Sequence, residues 1–142
     1  VFQGQFFYML YFQEPGVADA DLDADPERTM RGMLLGLSVP DAPGAPGFLD
    51  DDGRGFVARL PVVDDVPAWI TEEEVDHYVE TFRRTGFTGG LSWYRNLDRN
   101  WELNAPYADA HVTVPAALIG GAADPVLLVA GGSVVGALLL LI

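Results

Sequence analysis

Residues 38–69 hold five Pro and four Gly and separate two stretches of helical periodicity. Proline lacks an amide hydrogen and has a fixed φ, and glycine loses more backbone freedom on ordering than any other residue. Neither a helix nor a strand ladder persists through such a span, so the chain cannot be an uninterrupted helical bundle. A long loop is predicted over 38–69. A connection of that length inside a compact domain acts as a lid element or as an insertion.

The flanking helix signals are local. Asp25 can accept a free amide as N-cap, Pro26 suits the first turn, and Glu27 favours the positive end of the dipole. Met30, Met33, Leu34 and Leu37 then form one apolar stripe that ends near Gly36–Ser38. Thr71-Glu72-Glu73-Glu74 reads as a capping box, Val75, Tyr78, Val79 and Phe82 as its buried stripe, and Gly86 as a left-handed stop. Leu91, Tyr94, Leu97 and Trp101 share a helical face, which predicts a third helix ended by Pro106. Residues 17–25 alternate Asp with small residues and are predicted to be a solvated connection. Residues 112–119 predict a buried strand with Pro115 at an edge or bulge, followed by a Gly/Asp loop over 120–125. In α/β proteins such a loop is where site residues are placed.

Composition narrows the chemistry. The chain has 142 residues, no Cys, and 21 Asp+Glu against 8 Lys+Arg, a net charge of −13. Without Cys there is no disulfide framework, thiolate zinc site or sulfur nucleophile. The acidity sits in residues 1–80, with 17 acids and four Arg, and opposes binding to nucleic acid or an anionic membrane surface. Asp50-Asp51-Asp52-Gly53 lacks the alternating acids and closing Glu of a calcium loop, so no metal is expected. The aromatic stretch at residues 6–12 has no basic flank or small-residue cleavage site, so no export signal is predicted and a cytoplasmic location is expected. Residues 126–142 are uncharged but interrupted by Gly131, Gly132 and Gly136, and no Lys or Arg follows them. A buried helix or strand pair is predicted there, a membrane span being the competing reading.

Three strings carry more specific information. Tyr8-Met9-Leu10-Tyr11-Phe12-Gln13-Glu14-Pro15-Gly16, Phe87-Thr88-Gly89-Gly90-Leu91-Ser92-Trp93-Tyr94-Arg95-Asn96, and Val114-Pro115-Ala116 leading to Asp124-Pro125-Val126 occur in that order. Together they resemble the cap domain and following core strand of epoxide hydrolases of the α/β-hydrolase fold. The resemblance covers residues 3 to 128 and implies a mainly α chain: the helical cap, or lid, of such a hydrolase with one or two core strands near the C-terminus. The implied domains are a helical cap over 1–108 including the acidic loop, a core strand and acid loop over 109–128, and an atypical apolar tail over 129–142.

The resemblance also implies a mechanism. An Asp carboxylate opens the epoxide to a covalent ester, and a His-activated water hydrolyses that ester. Ring opening produces an alkoxide, which two cap phenols of pKa about 10 can meet with hydrogen bonds or a proton. By motif position these are Tyr8 and Tyr94. Tyr11 is the local competitor of Tyr8, and the bland alternative is that each Tyr is a core aromatic with its hydroxyl at the rim. Phe6, Phe12 and Trp93 are then pocket-wall or packing residues. Asp124 matches the acid that orients the catalytic His. The nucleophilic Asp and catalytic His of the family match no residue here; neither His77 nor His111 takes the latter position, and no nucleophile elbow occurs. This stretch is expected to be inactive alone, to require no cofactor, and to meet a small-molecule epoxide only in the complete protein. The competing functions are a dehalogenase or other hydrolase with a similar cap, and a non-catalytic chain attached to membranes by residues 126–142.

Overall fold

The computed structural model describes residues 4–38 and 50–117. Among them are six α-helices: α1 (Tyr8–Tyr11), α2 (Val17–Asp23), α3 (Pro26–Leu34), α4 (Glu72–Thr85), α5 (Thr88–Arg95) and α6 (Leu97–Asn104). Short 3₁₀ turns cover Gly36–Ser38, Val57–Arg59 and Ala105–Tyr107. An antiparallel bridge joins Gln5 to Asp50. The chain divides into two units after Asp98.

The helices announced by their caps form as expected. The Arg28 amide donates to Asp25 Oδ1 at 3.0 Å with Pro26 in the first turn of α3. In α4 the Thr71 amide donates to Glu74 Oε2 at 2.8 Å while the Glu74 amide donates to Thr71 Oγ1 at 3.3 Å, so two orphan donors are satisfied reciprocally. Gly86 ends α4 at φ 68°, a backbone conformation that other residues adopt only with strain. Helices α3 and α4 pack together through Met30, Leu35, Val75 and Val79, and Arg31 bridges to Glu72 at 2.9 Å.

The apolar stripes are narrower than predicted. Leu37 is exposed because the chain tightens into a 3₁₀ turn after Leu34, which rotates it off the α3 face. Tyr78 is exposed as well, leaving Val75 and Val79 as the buried residues of α4. The third helix breaks at Asn96 into α5 and α6, which leaves Leu91 buried and Leu97 and Trp101 exposed.

Residues 17–23 are a helix, not a solvated connection. Ala18 and Leu22, four apart, are both buried, and sequestering Leu22 is worth about 1.5–3 kcal/mol. Aspartate has poor helix propensity, but here the acids meet distant donors. Asp21 accepts the Tyr11 hydroxyl at 3.1 Å and the amides of Phe56 and Val57 at 2.7 and 3.2 Å. Gly55 permits this approach, since a Cβ there would lie 2.6 Å from the Asp21 carboxylate. Asp23 accepts the Phe87 amide at 3.1 Å, and the buried Thr29 hydroxyl donates to the Leu22 carbonyl at 3.0 Å.

The described part of the predicted loop, 50–69, is irregular but ordered around two arginines. Arg59 is fully buried; its guanidinium donates to the Asp50 carbonyl at 2.5 Å, Asp52 Oδ1 at 2.7 Å and the Arg54 carbonyl at 3.0 Å, and lies 3.8 Å from the centre of the Phe6 ring. Arg28 donates to the Leu60 and Pro61 carbonyls at 2.5 and 3.2 Å. Within the Asp50–Asp52 run, the Asp52 carboxylate thus serves Arg54 and the buried Arg59, and Asp50 contributes its carbonyl. Residues 39–49 of the loop lie outside the described residues.

In the second unit, α6 runs on into the 3₁₀ turn that contains Pro106, and residues 108–117 are exposed and carry no strand. The strand predicted over 112–119 is therefore not formed in its described portion, 112–117. A strand needs a neighbour to receive its amides and carbonyls, and the described residues offer it none. Asp124, the Gly/Asp loop and the apolar tail over 126–142 lie outside the described residues. Among those that are described, no helix is long and apolar enough to cross a membrane.

Candidate active site

The site builds from the one-turn helix α1 and the last turn of α5. Four residues of α-helix are unstable on their own, because nucleation fixes several dihedrals for one hydrogen bond. α1 also has no side-chain N-cap. Its geometry is set by packing instead. Phe12, at its C-terminal end, is 4% exposed and meets Phe56 with ring centres 5.0 Å apart.

Tyr8 and Tyr94 converge on that ring. Tyr8 lies 5.6 Å from Phe12 and Tyr94 lies 5.1 Å from it, both edge-on, while the two tyrosine rings are 5.8 Å apart at 82°. Both tyrosines are half-buried. Edge-to-face contacts of this kind are worth about 0.5–1.5 kcal/mol each beyond the area they bury. Two phenols carried by segments remote in the chain therefore occupy one corner of the molecule.

Tyr11, the competitor of Tyr8, is committed elsewhere. Its ring leans on Phe6 at 5.3 Å and its hydroxyl donates a hydrogen bond to Asp21 Oδ2. Burial, followed by the neighbouring Asp21 charge and the bond to that carboxylate, pushes its phenol up to about 12. A proton so held is poorly disposed for donation to a substrate oxygen.

The other expected site residues separate by role. Phe6 and Phe12 are packing residues of the core, Phe6 beneath Arg59 and Phe12 against both tyrosines. Trp93 is 80% exposed, because two residues on from the buried Leu91 a helix presents its other side. His77 is exposed on α4, and His111 is exposed in the segment after α6. Asp124 cannot be placed, lying outside the described residues. Two open clefts of about 660 and 300 Å³ lie along α4 beside Trp69 and Tyr78 and along α3 beside Val62 and Val63; neither is lined by Tyr8 or Tyr94.

Three polar residues that tie α1 to α5 escaped sequence reasoning. Gln13 Nε2 donates to the Met9 carbonyl at 2.8 Å and to the Tyr94 carbonyl at 3.0 Å. Arg95 Nε donates to the Phe12 carbonyl at 3.0 Å and its Nη2 to Asp19 Oδ2 at 2.5 Å. Asp19 also accepts the Thr88 hydroxyl at 2.5 Å and the Gly16 amide at 2.8 Å. The signal that could have found Asp19 is its position three residues after Gly16, where a carboxylate caps the start of a helix.

These bonds hold the Asp19 carboxyl well below the usual carboxylate range, Arg95 contributing most and the Thr88 hydroxyl next, against the cost of desolvation. A depressed folded-state pKa supplies stability above the unfolded value, about 4, and loses it as pH falls further. Acid unfolding of the full-length protein between about pH 5 and pH 3 should therefore flatten in Asp19→Asn. Some slope will persist, since Glu72 and Glu74 are also lowered, by Arg31 and by Thr71. An unchanged slope would show that the pair does not contribute.

No family model matches the chain. It is 56% identical over 127 residues to "Epoxide hydrolase A" of Mycobacterium tuberculosis, covering 89% of this chain and 39% of that protein. It is 42% identical over 121 residues to "Epoxide hydrolase 2" of Siraitia grosvenorii, covering 85% and 36%. Its fold matches the crystal structure of epoxide hydrolase A from Mycobacterium thermoresistibile with a TM-score of 0.79 and 59% identity, over 87% of this chain and 39% of that one. The chain thus spans about two fifths of the length of these relatives.

Proposed function

Because this chain belongs to the epoxide hydrolases of the α/β-hydrolase fold, we propose that the full-length protein hydrolyses epoxides to vicinal diols and that Tyr8 and Tyr94 activate the epoxide oxygen. The observation that carries this reading is the convergence of the two phenols, 5.8 Å between ring centres. In the first step a carboxylate oxygen supplied outside this chain attacks a ring carbon, a C–O bond forms, and the ring C–O bond breaks. The departing pair stays on the former epoxide oxygen. An alkoxide is far more basic than a phenolate, so a neutral phenol stabilises it by a hydrogen bond or gives it a proton, leaving a hydroxy-ester. Water then attacks the ester carbonyl, releasing the diol and restoring the carboxylate. Asp124 is assigned to orient the His that activates this water.

Tyrosine suits the donor role because it is neutral at pH 7 and tolerated on an apolar wall. A halide leaves as a stable anion and needs no such acid, and the relatives are named as epoxide hydrolases, so a dehalogenase is not favoured. The test offers the full-length protein a simple aryl epoxide and the matching haloalkane. Diol should form from the epoxide at a rate at least about 10²-fold above halide release, the span of one well-placed acid. Equal or faster halide release would overturn the assignment.

A further inference from the structure

We propose that Arg95, held by Asp19, is a positioning residue that sets the distance between the two phenols. The inference rests on the reading that Tyr8 and Tyr94 act on the epoxide oxygen. Tyr94 stands in the final turn of α5, and its backbone neighbour Arg95 reaches back to α1. The Arg95 guanidinium joins the Phe12 carbonyl, where the chain leaves the helix that bears Tyr8, to the Asp19 carboxylate at the start of α2. Both side chains of the pair are only 16% exposed, so their charge-assisted bond works in a partly desolvated setting and has two fixed directions. Gln13 supports the same junction by donating to the Tyr94 carbonyl. Phe12, packed edge-on against both phenols, is the body that this clamp holds still.

The need for such a clamp follows from α1 itself. A single uncapped turn cannot hold a phenol to within a few tenths of an ångström, yet proton donation to a developing alkoxide is sensitive to that margin. Thr88, at the other end of α5, donates a hydrogen bond from its hydroxyl to the same carboxylate, so Asp19 gathers both ends of the helix that carries Tyr94. Lysine at position 95 keeps the charge but cannot donate to Phe12 and Asp19 in two set directions.

The experiment separates ring opening from ester hydrolysis in the full-length protein. Single-turnover formation and decay of the covalent ester are followed by mass spectrometry for Arg95→Met, Arg95→Lys, Asp19→Asn and Tyr94→Phe, each rate normalised to the folded fraction. Arg95→Met and the isosteric Asp19→Asn should slow ester formation by about 10- to 100-fold, as expected for a misplaced acid. Decay of the ester should stay within about twofold, and Arg95→Lys should recover less than the full rate. Equal slowing of both steps, or ester formation unchanged per folded molecule, would overturn the positioning role. If Tyr94→Phe also forms ester at the parental rate, the functional reading itself falls; if Tyr94→Phe is slow while the Arg95 and Asp19 variants are not, only the positioning inference falls.

Discussion

Phenylalanine at both positions 8 and 94 of the full-length protein is expected to slow epoxide ring opening by about 10³-fold or more. One donor at a developing oxyanion contributes about 10²–10³-fold, and two aimed at the same oxygen act partly in each other's place. Each single substitution should therefore cost about 10²-fold, and the double more than either alone. Phenylalanine keeps the edge-on contacts that both rings make with Phe12, at 5.6 and 5.1 Å, so the aromatic cluster keeps its rings and loses two hydroxyls. The measurement is the rate at which the covalent ester appears after mixing with epoxide. Ester formation at an undiminished rate in the double variant would refute the assignment of these tyrosines.

The largest effect on stability is expected at Arg59. Its side chain is fully buried, makes three charge-assisted bonds and lies 3.8 Å above the Phe6 ring. Such bonds are worth about 1.5–3 kcal/mol each and a buried cation–π contact about 2, but desolvating the guanidinium offsets much of that sum. Its Nε finds no partner among the described residues, which adds to the cost. The acceptors belong to Asp50, Asp52 and Arg54, exposed residues that water can reach once the arginine is gone. Arg59→Met should accordingly lose about 2–3 kcal/mol by equilibrium denaturation of the full-length protein, and residues 50–55 should become sensitive to protease. A loss below about 0.5 kcal/mol would mean that the loop is ordered by its turns and not by this cation.

How far the fold could be read from the chain depended on the range of the interaction. Asp25 and Thr71 announce helices because a cap bonds to an amide three residues on, and both caps are found where the residue pattern put them. The mainly α character of the chain was implied by the resemblance to the hydrolase cap, and the caps and apolar spacing located two of its helices. The same local reasoning misread residues 17–23. The acids there look solvated until Phe56, Phe87, Thr88 and Arg95, all far along the chain, arrive to donate to them. It also misread residues 112–117, where an apolar, β-branched pattern has no partner strand among the described residues.

Residue chemistry within a few positions was enough to place the starts of α3 and α4, the Pro- and Gly-rich interruption and the two strings that contain the tyrosines. Long-range packing alone settles that Tyr11 is bound to Asp21 while Tyr8 meets Tyr94, that Phe12 packs against both phenols, and that Arg95 and Gln13 tie their helices together. Those contacts link residues as far apart in the chain as Tyr8 and Tyr94. No local periodicity encodes a bond of that range, since its geometry exists only once the intervening chain has folded.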